Sequence, residues 1–133
     1  MRARMMVLAC ALVALTCLAH AVTENHGNWI GVWRAKVENQ PGVTLTLADD
    51  TGSLDGTIVF YGLDGETHKV VAMEPHTLIH PTLDGNALTF QVKRLDATLI
   101  TVKVVFITPT KAELHCLNCG DDAPLAELTK ETL

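Results

Sequence analysis

Beyond residue 21 the chain has one serine and two cysteines, and no apolar run approaching the roughly 20 residues of a membrane-spanning helix. Ser53 stands in an Asp-Thr-Gly-Ser turn, so there is no Gly-x-Ser-x-Gly elbow. His-Glu-x-x-His, phosphate-loop and dinucleotide fingerprints are missing too. Nothing in the sequence therefore calls for a cofactor or marks a catalytic residue. Lys and Arg form no cluster and the formal net charge is −5, which counts against nucleic acid or an anionic membrane surface as partner. No stretch keeps apolar residues at i, i+3, i+4 and i+7, so little helix is expected beyond the leader.

What is present begins with that leader. Met1-Arg2-Ala3-Arg4 is followed by an apolar stretch from Met5 to Leu18 and then by Ala19-His20-Ala21, the order of a secretory signal peptide. Cleavage is expected after Ala21. This gives a signal peptide over 1–21, one domain over 22–133, and a mature protein in the periplasm or extracellular space with no membrane anchor. Lipidation is disfavoured, because Thr16 stands before Cys17 where a small residue is required. The leader holds Arg2 and Arg4 and no acid, so its loss takes the net charge from −5 to −7.

The mature region offers short apolar runs divided by turn residues, the pattern of an all-β chain. Strands are expected over Trp29–Val37, Val43–Leu47, Leu54–Tyr61, Thr67–Met73, Ala87–Lys93, Thr98–Ile107, Lys111–Leu117 and Pro124–Lys130. Asn39-Gln40-Pro41-Gly42, Asp49 to Ser53, Gly62 to Gly65 and Asp84-Gly85-Asn86 supply turns, since Asp, Asn and Gly accept the local hydrogen bonds and positive φ that tight turns need. Leu88, Phe90 and Val92 alternate with Thr89, Gln91 and Lys93, which predicts one buried and one wet face. Glu74 to Thr82, with Pro75 and Pro81, reads as a loop or a short edge strand. About eight short strands fit an antiparallel meander closed into a small barrel or a curled sheet.

Trp29-Ile30-Gly31-Val32-Trp33 resembles the G-x-W opening of the calycins: lipocalins, fatty-acid-binding proteins and avidins. The resemblance implies that Trp33, behind Gly31, plugs one barrel end under a basic side chain of the last strand, for which Lys130 is placed. Gly52-Ser53-Leu54-Asp55-Gly56-Thr57, Asp84 to Phe90 and Pro124 to Lys130 follow in an order similar to a lipocalin-like β-domain of exported bacterial proteins, found alone or ahead of a serine hydrolase. That domain carries no established activity, so the resemblance implies a fold and no reaction.

Two constellations carry possible chemistry. Cys116 and Cys119, the only mature cysteines, form a C-x-x-C at a strand-to-turn transition. In an oxidising compartment they are expected to pair as a disulfide, since redox catalysis would want a helix N-terminus beside them. The alternative is a metal site drawing on His115, Cys116 and Cys119, or on His76 and His80 with Glu74 and His68 nearby. Asp49 to Gly56 has an acidic calcium-loop flavour, but Phe60 stands where the bidentate glutamate belongs. The expected function is an exported, noncatalytic β-barrel-like protein that binds a small apolar ligand or serves as an interaction module. Its alternative is a metal-binding or enzymatic protein built on these His and Cys residues.

Overall fold

The computed structural model describes residues 26–37, 39–120 and 126–132; the leader, its cleavage site after Ala21 and the link 121–125 lie outside them. A short 3-10 turn, His26–Asn28, leads into nine strands: β1 Gly31–Val37, β2 Gln40–Asp50, β3 Ser53–Leu63, β4 Val70–Thr77, β5 Ile79–Asp84, β6 Ala87–Lys93, β7 Leu99–Thr108, β8 Lys111–Cys116 and β9 Ala126–Lys130. They form one antiparallel sheet in the order β4-β3-β2-β1-β9-β8-β7-β6-β5. β1 and β9 meet through Trp33↔Lys130 and Arg34↔Thr129, which curls the sheet into a nearly closed barrel.

The two outer strands are consecutive parts of one run broken at Leu78. β4 pairs with the later half of β3, from Thr57↔Thr77 to Leu63↔Val70, whereas β5 pairs with β6, from Ile79↔Gln91 to Asp84↔Ala87. At the break the Leu78 N–H reaches the Gly56 carbonyl at 3.2 Å, and the Leu78 side chain is buried. A single run thus closes the barrel by leaving one neighbour for the other. Of the two readings left open for Glu74–Thr82, a loop or a short edge strand, the structure shows the second: β4 and β5 are the two edges of the sheet. Pro75 is tolerated because β4 has a ladder partner on one side only, and Pro81 because it falls at the irregularity between Ile79 and Thr82, where His80 has φ +48°.

Other boundaries differ as well, β2, β3 and β4 running on to Asp50, Leu63 and Thr77. β2 starts at Gln40, so Pro41 and Gly42 belong to a strand; the register slips there, Ala35 facing Val43 and Lys36 facing Pro41. His68 and the residues beside it, placed by sequence in the fourth strand, lie in the β3–β4 loop with φ +55° at His68. At Gly56 the β2 and β3 backbones come so close that a Cβ would collide with the Thr46 carbonyl oxygen, so only glycine fits mid-strand.

Alternation sends one side chain in two to the interior: Trp33 and Ala35, Leu45 and Leu47, Leu54 and Ile58, Leu88, Phe90 and Val92, Val102, Val104 and Phe106, Ala112 and Leu114, and Leu128 are all buried. At the end where β1 begins, the indole of Trp29 stacks on Phe106 with centroids 4.4 Å apart, and Trp33 tilts against the same ring at 5.1 Å. We call this the closed end. The opposite end, where β1, β3, β6 and β8 finish, is the mouth.

Candidate functional site: the barrel mouth

The sequence-placed residues Gly31, Trp33 and Lys130 belong to the closed end. Trp33 is wholly buried; its Nε1–H donates to the Trp29 carbonyl at 3.0 Å, and the Lys130 ammonium lies 5.7 Å from its ring while donating to the Asn28 carbonyl at 3.2 Å. Gly31 has φ +139°, and a Cβ there would stand 2.8 Å from Lys130 Cε, so a side chain would displace the lysine.

Below Arg34 and Thr129 the β1–β9 ladder lapses. Ala35, Lys36 and Val37 have no partners among Ala126, Glu127 and Leu128, although the register would supply them. The barrel there holds a cavity of about 1100 Å³, near the upper bound for small-molecule sites. Buried Ala35, Val102 and Leu114 make its floor, and Val43, Phe60, Ile100 and Ala126 its walls. Arg34, Lys36, Glu127 and Thr129 line it too. Their side chains alternate to the outside, so the cavity also runs out through the lapsed part of the wall.

Polar groups gather where β4 and β6 face each other without a ladder between them. Glu74 and His76, two residues apart on β4, both face inward and join Oε2 to Nε2 at 2.5 Å, with side chains 16% and 8% exposed. Arg94, just past β6, reaches across the seam: Nε donates to Glu74 Oε2 at 3.1 Å and Nη2 to Oε1 at 3.4 Å. Its guanidinium lies 5.8 Å from the centroid of Phe60, the cross-strand partner of Glu74. The His76 hydrogen bond first, and Arg94 second, hold the Glu74 carboxyl below the ordinary glutamate range, against the opposing pull of burial.

The loops around the mouth brace themselves. Asp64 accepts the backbone N–H groups of Glu66 and Thr67, both at 2.9 Å, and Asp96 accepts from the Thr98 N–H and hydroxyl; these bonds hold both carboxyls below their usual range. After β8 the chain bends so that Cys116 and Cys119 stand at disulfide distance, Cα to Cα 5.6 Å, and both line the cavity. Asn118 lashes this bend to β7, its Oδ1 accepting from Thr101 N–H at 2.7 Å and its Nδ2 donating to the Leu99 carbonyl at 3.1 Å.

The five metal candidates are not drawn together. His76 faces inward beside Glu74, His80 is exposed past the break at Leu78, and His115 lies near Glu113 at 3.4 Å. Among the described residues no three His, Cys, Asp or Glu side chains could hold an ion. Sequence reasoning did not single out Arg94, Phe60 or Lys36, since no motif marks them and only barrel closure brings Arg94 to Glu74, twenty positions away. Compared with protein-family models, curated proteins and solved structures, the chain gives no significant match.

Proposed function

We propose that the mature chain is an exported, noncatalytic carrier that holds a small apolar ligand in the barrel mouth. The observation that carries this reading is the cavity: a domain of this size can fill a small barrel with side chains, yet here about 1100 Å³ stays open over an apolar floor. The contrast with the closed end, where Trp29, Trp33 and Phe106 fill the interior, makes the opening local. Glu74 and His76 stand behind Phe60 and Arg94 and do not line the cavity, which supports a binding role over an acid–base one. Export rests on the leader, and N-terminal sequencing of the secreted form should begin at Val22; an intact Met1 or a lipid on Cys17 would overturn it.

Binding is tested by titrating the mature protein with N-phenyl-1-naphthylamine, a neutral apolar dye that brightens when desolvated. One saturable site is expected, abolished by Ile100→Trp, which fills the cavity, with the strand content unchanged by circular dichroism. No saturable signal, or a signal indifferent to Ile100→Trp, refutes the carrier. A second reading, a protein-interaction module, draws on Leu95, Leu99 and Leu117, all exposed around the same mouth. It would gain from a partner lost in a Leu95→Asp, Leu117→Asp variant that still takes up the dye.

A further inference from the structure

We infer that Cys116 and Cys119 form a reversible thiol–disulfide exchange site at the barrel mouth, opened by an external dithiol that attacks Cys119 while the fold stays intact. The inference is independent of what the cavity holds. Cys116 ends β8 opposite Val102, whose side chain is in the core, so its sulfur turns toward the interior; Cys119 lies three residues on, in the exposed bend. Both line the cavity. The pair is therefore open to a reagent entering the mouth, unlike a disulfide sealed inside a core.

The bend that joins the two sulfurs does not depend on their bond. The Leu117 N–H donates to the Thr101 carbonyl at 2.8 Å, and Asn118 ties the same bend to β7 through the Thr101 N–H at 2.7 Å and the Leu99 carbonyl at 3.1 Å. Gly120 follows with φ +97°, which glycine adopts without strain. These hydrogen bonds come from the backbone and from Asn118 and involve neither sulfur, so they hold the chain with Cα atoms 5.6 Å apart whether or not the sulfurs are joined. Reduction leaves the bend in place.

The two sulfurs differ in access. Cys119 is exposed and Cys116 half-buried, so attack falls on Cys119 and Cys116 is the leaving group. A thiolate of the dithiol bonds to Cys119 Sγ, the S–S bond breaks, and Cys116 departs with the electron pair and takes up a proton. Asn118 Oδ1 stands 3.9 Å from Cys116 Sγ, placed to accept the new S–H. The second thiol of the reductant then attacks its own bound sulfur and releases Cys119; two electrons and two protons have passed to the protein, and the reductant leaves as a disulfide. No helix N-terminus is needed to activate a cysteine, because the nucleophile comes from outside.

The test equilibrates the full mature protein, without denaturant, in mixtures of reduced and oxidised dithiothreitol, and counts its thiols by alkylation and mass spectrometry. One reversible two-thiol transition is expected, with the strand signal in circular dichroism unchanged across it. Acid quenching early in reduction by glutathione, followed by peptide mapping, should find the mixed disulfide on Cys119 about tenfold more often than on Cys116. Asn118→Ala should shift the equilibrium about tenfold toward the dithiol, because hydrogen bonds that keep the sulfurs together favour their pairing. The mapping needs no variant, so it decides the point of attack even if Asn118→Ala does not fold. Reduction only where the strands melt, glutathione on Cys116 or equally on both cysteines, or a transition unmoved in folded Asn118→Ala overturns the inference. Dye binding by the oxidised protein is a separate readout, so the carrier stands or falls apart from it.

Discussion

The two ends of the barrel are built from the same nine strands and differ in what fills them. At the closed end two tryptophans and Phe106 stack, Lys130 covers Trp33, and Leu47, Leu54 and Leu128 are buried around them. At the mouth the walls part between β1 and β9 and between β4 and β6, and the second parting is spanned by an Arg94–Glu74–His76 chain where apolar packing would otherwise close it. One end is a core and the other a rim, so substitutions at the first should act on stability and those at the second on binding.

The strongest way to break that division is Trp33→Ala against Ile100→Ala. Removing a wholly buried tryptophan should cost about 3–5 kcal/mol, whereas truncating half-buried Ile100 at the cavity wall should cost about 1 kcal/mol and mainly weaken dye binding. Equal costs in urea titrations would mean that the mouth is as much core as the closed end. A smaller effect belongs to the Cys116–Cys119 pair. Thiol counting on the denatured, unreduced mature protein should find no free thiol. Replacing both cysteines by serine should cost at most about 2 kcal/mol, because a loop this short removes little chain entropy. Two free thiols, or zinc released by a chelator, would favour the metal alternative.

The seam should respond to acid. Since the Glu74 carboxyl is held below the ordinary range, its contribution is fully present above the unfolded-state pKa and is lost as pH falls through the folded one, that is, from about 4 downward. Glu74→Gln should therefore flatten the acid limb of the stability profile and cost on the order of 1 kcal/mol at neutral pH, the Arg94 side of the network being half exposed to water. An unchanged acid limb would show the clamp to be idle. The smallest effect is expected at the closed end's β2–β3 turn, where Thr51 and Gly52 both have positive φ, +51° and +89°. Thr51→Asn suits that turn better and should add about 0.5 kcal/mol, read as a shift in the urea midpoint.

Strands with one wet and one dry face were legible because alternation is local: β6 begins and ends as its pattern predicts, and β7 and β8 agree within a residue. The β4–β5 run was legible only in part, because Pro75, Pro81 and the polar residues around them leave loop and edge strand both open until one knows that this run has a ladder partner on only one side at a time. The mouth was harder still. Glu74 and His76 stand out in sequence beside His80, but strand geometry keeps the first pair on one face, and the break at Leu78 sends His80 elsewhere. Arg94 and Phe60 look like ordinary surface and core residues, and closure alone makes them neighbours.

The β1–β9 seam also shapes how the molecule must assemble. Every other ladder joins strands adjacent in the chain, so β1 through β4 and β5 through β9 can each grow hairpin by hairpin. Trp33↔Lys130 instead unites residues from opposite ends of the sequence and carries the loop-closure entropy of the whole domain. Docking of β9 on β1 is thus the natural last step, and until it occurs β1 and β9 are both bare edges able to template pairing between chains. Truncation before Ala126 would prevent that closure and leave β1 and β8 as permanent bare edges, which favours aggregation.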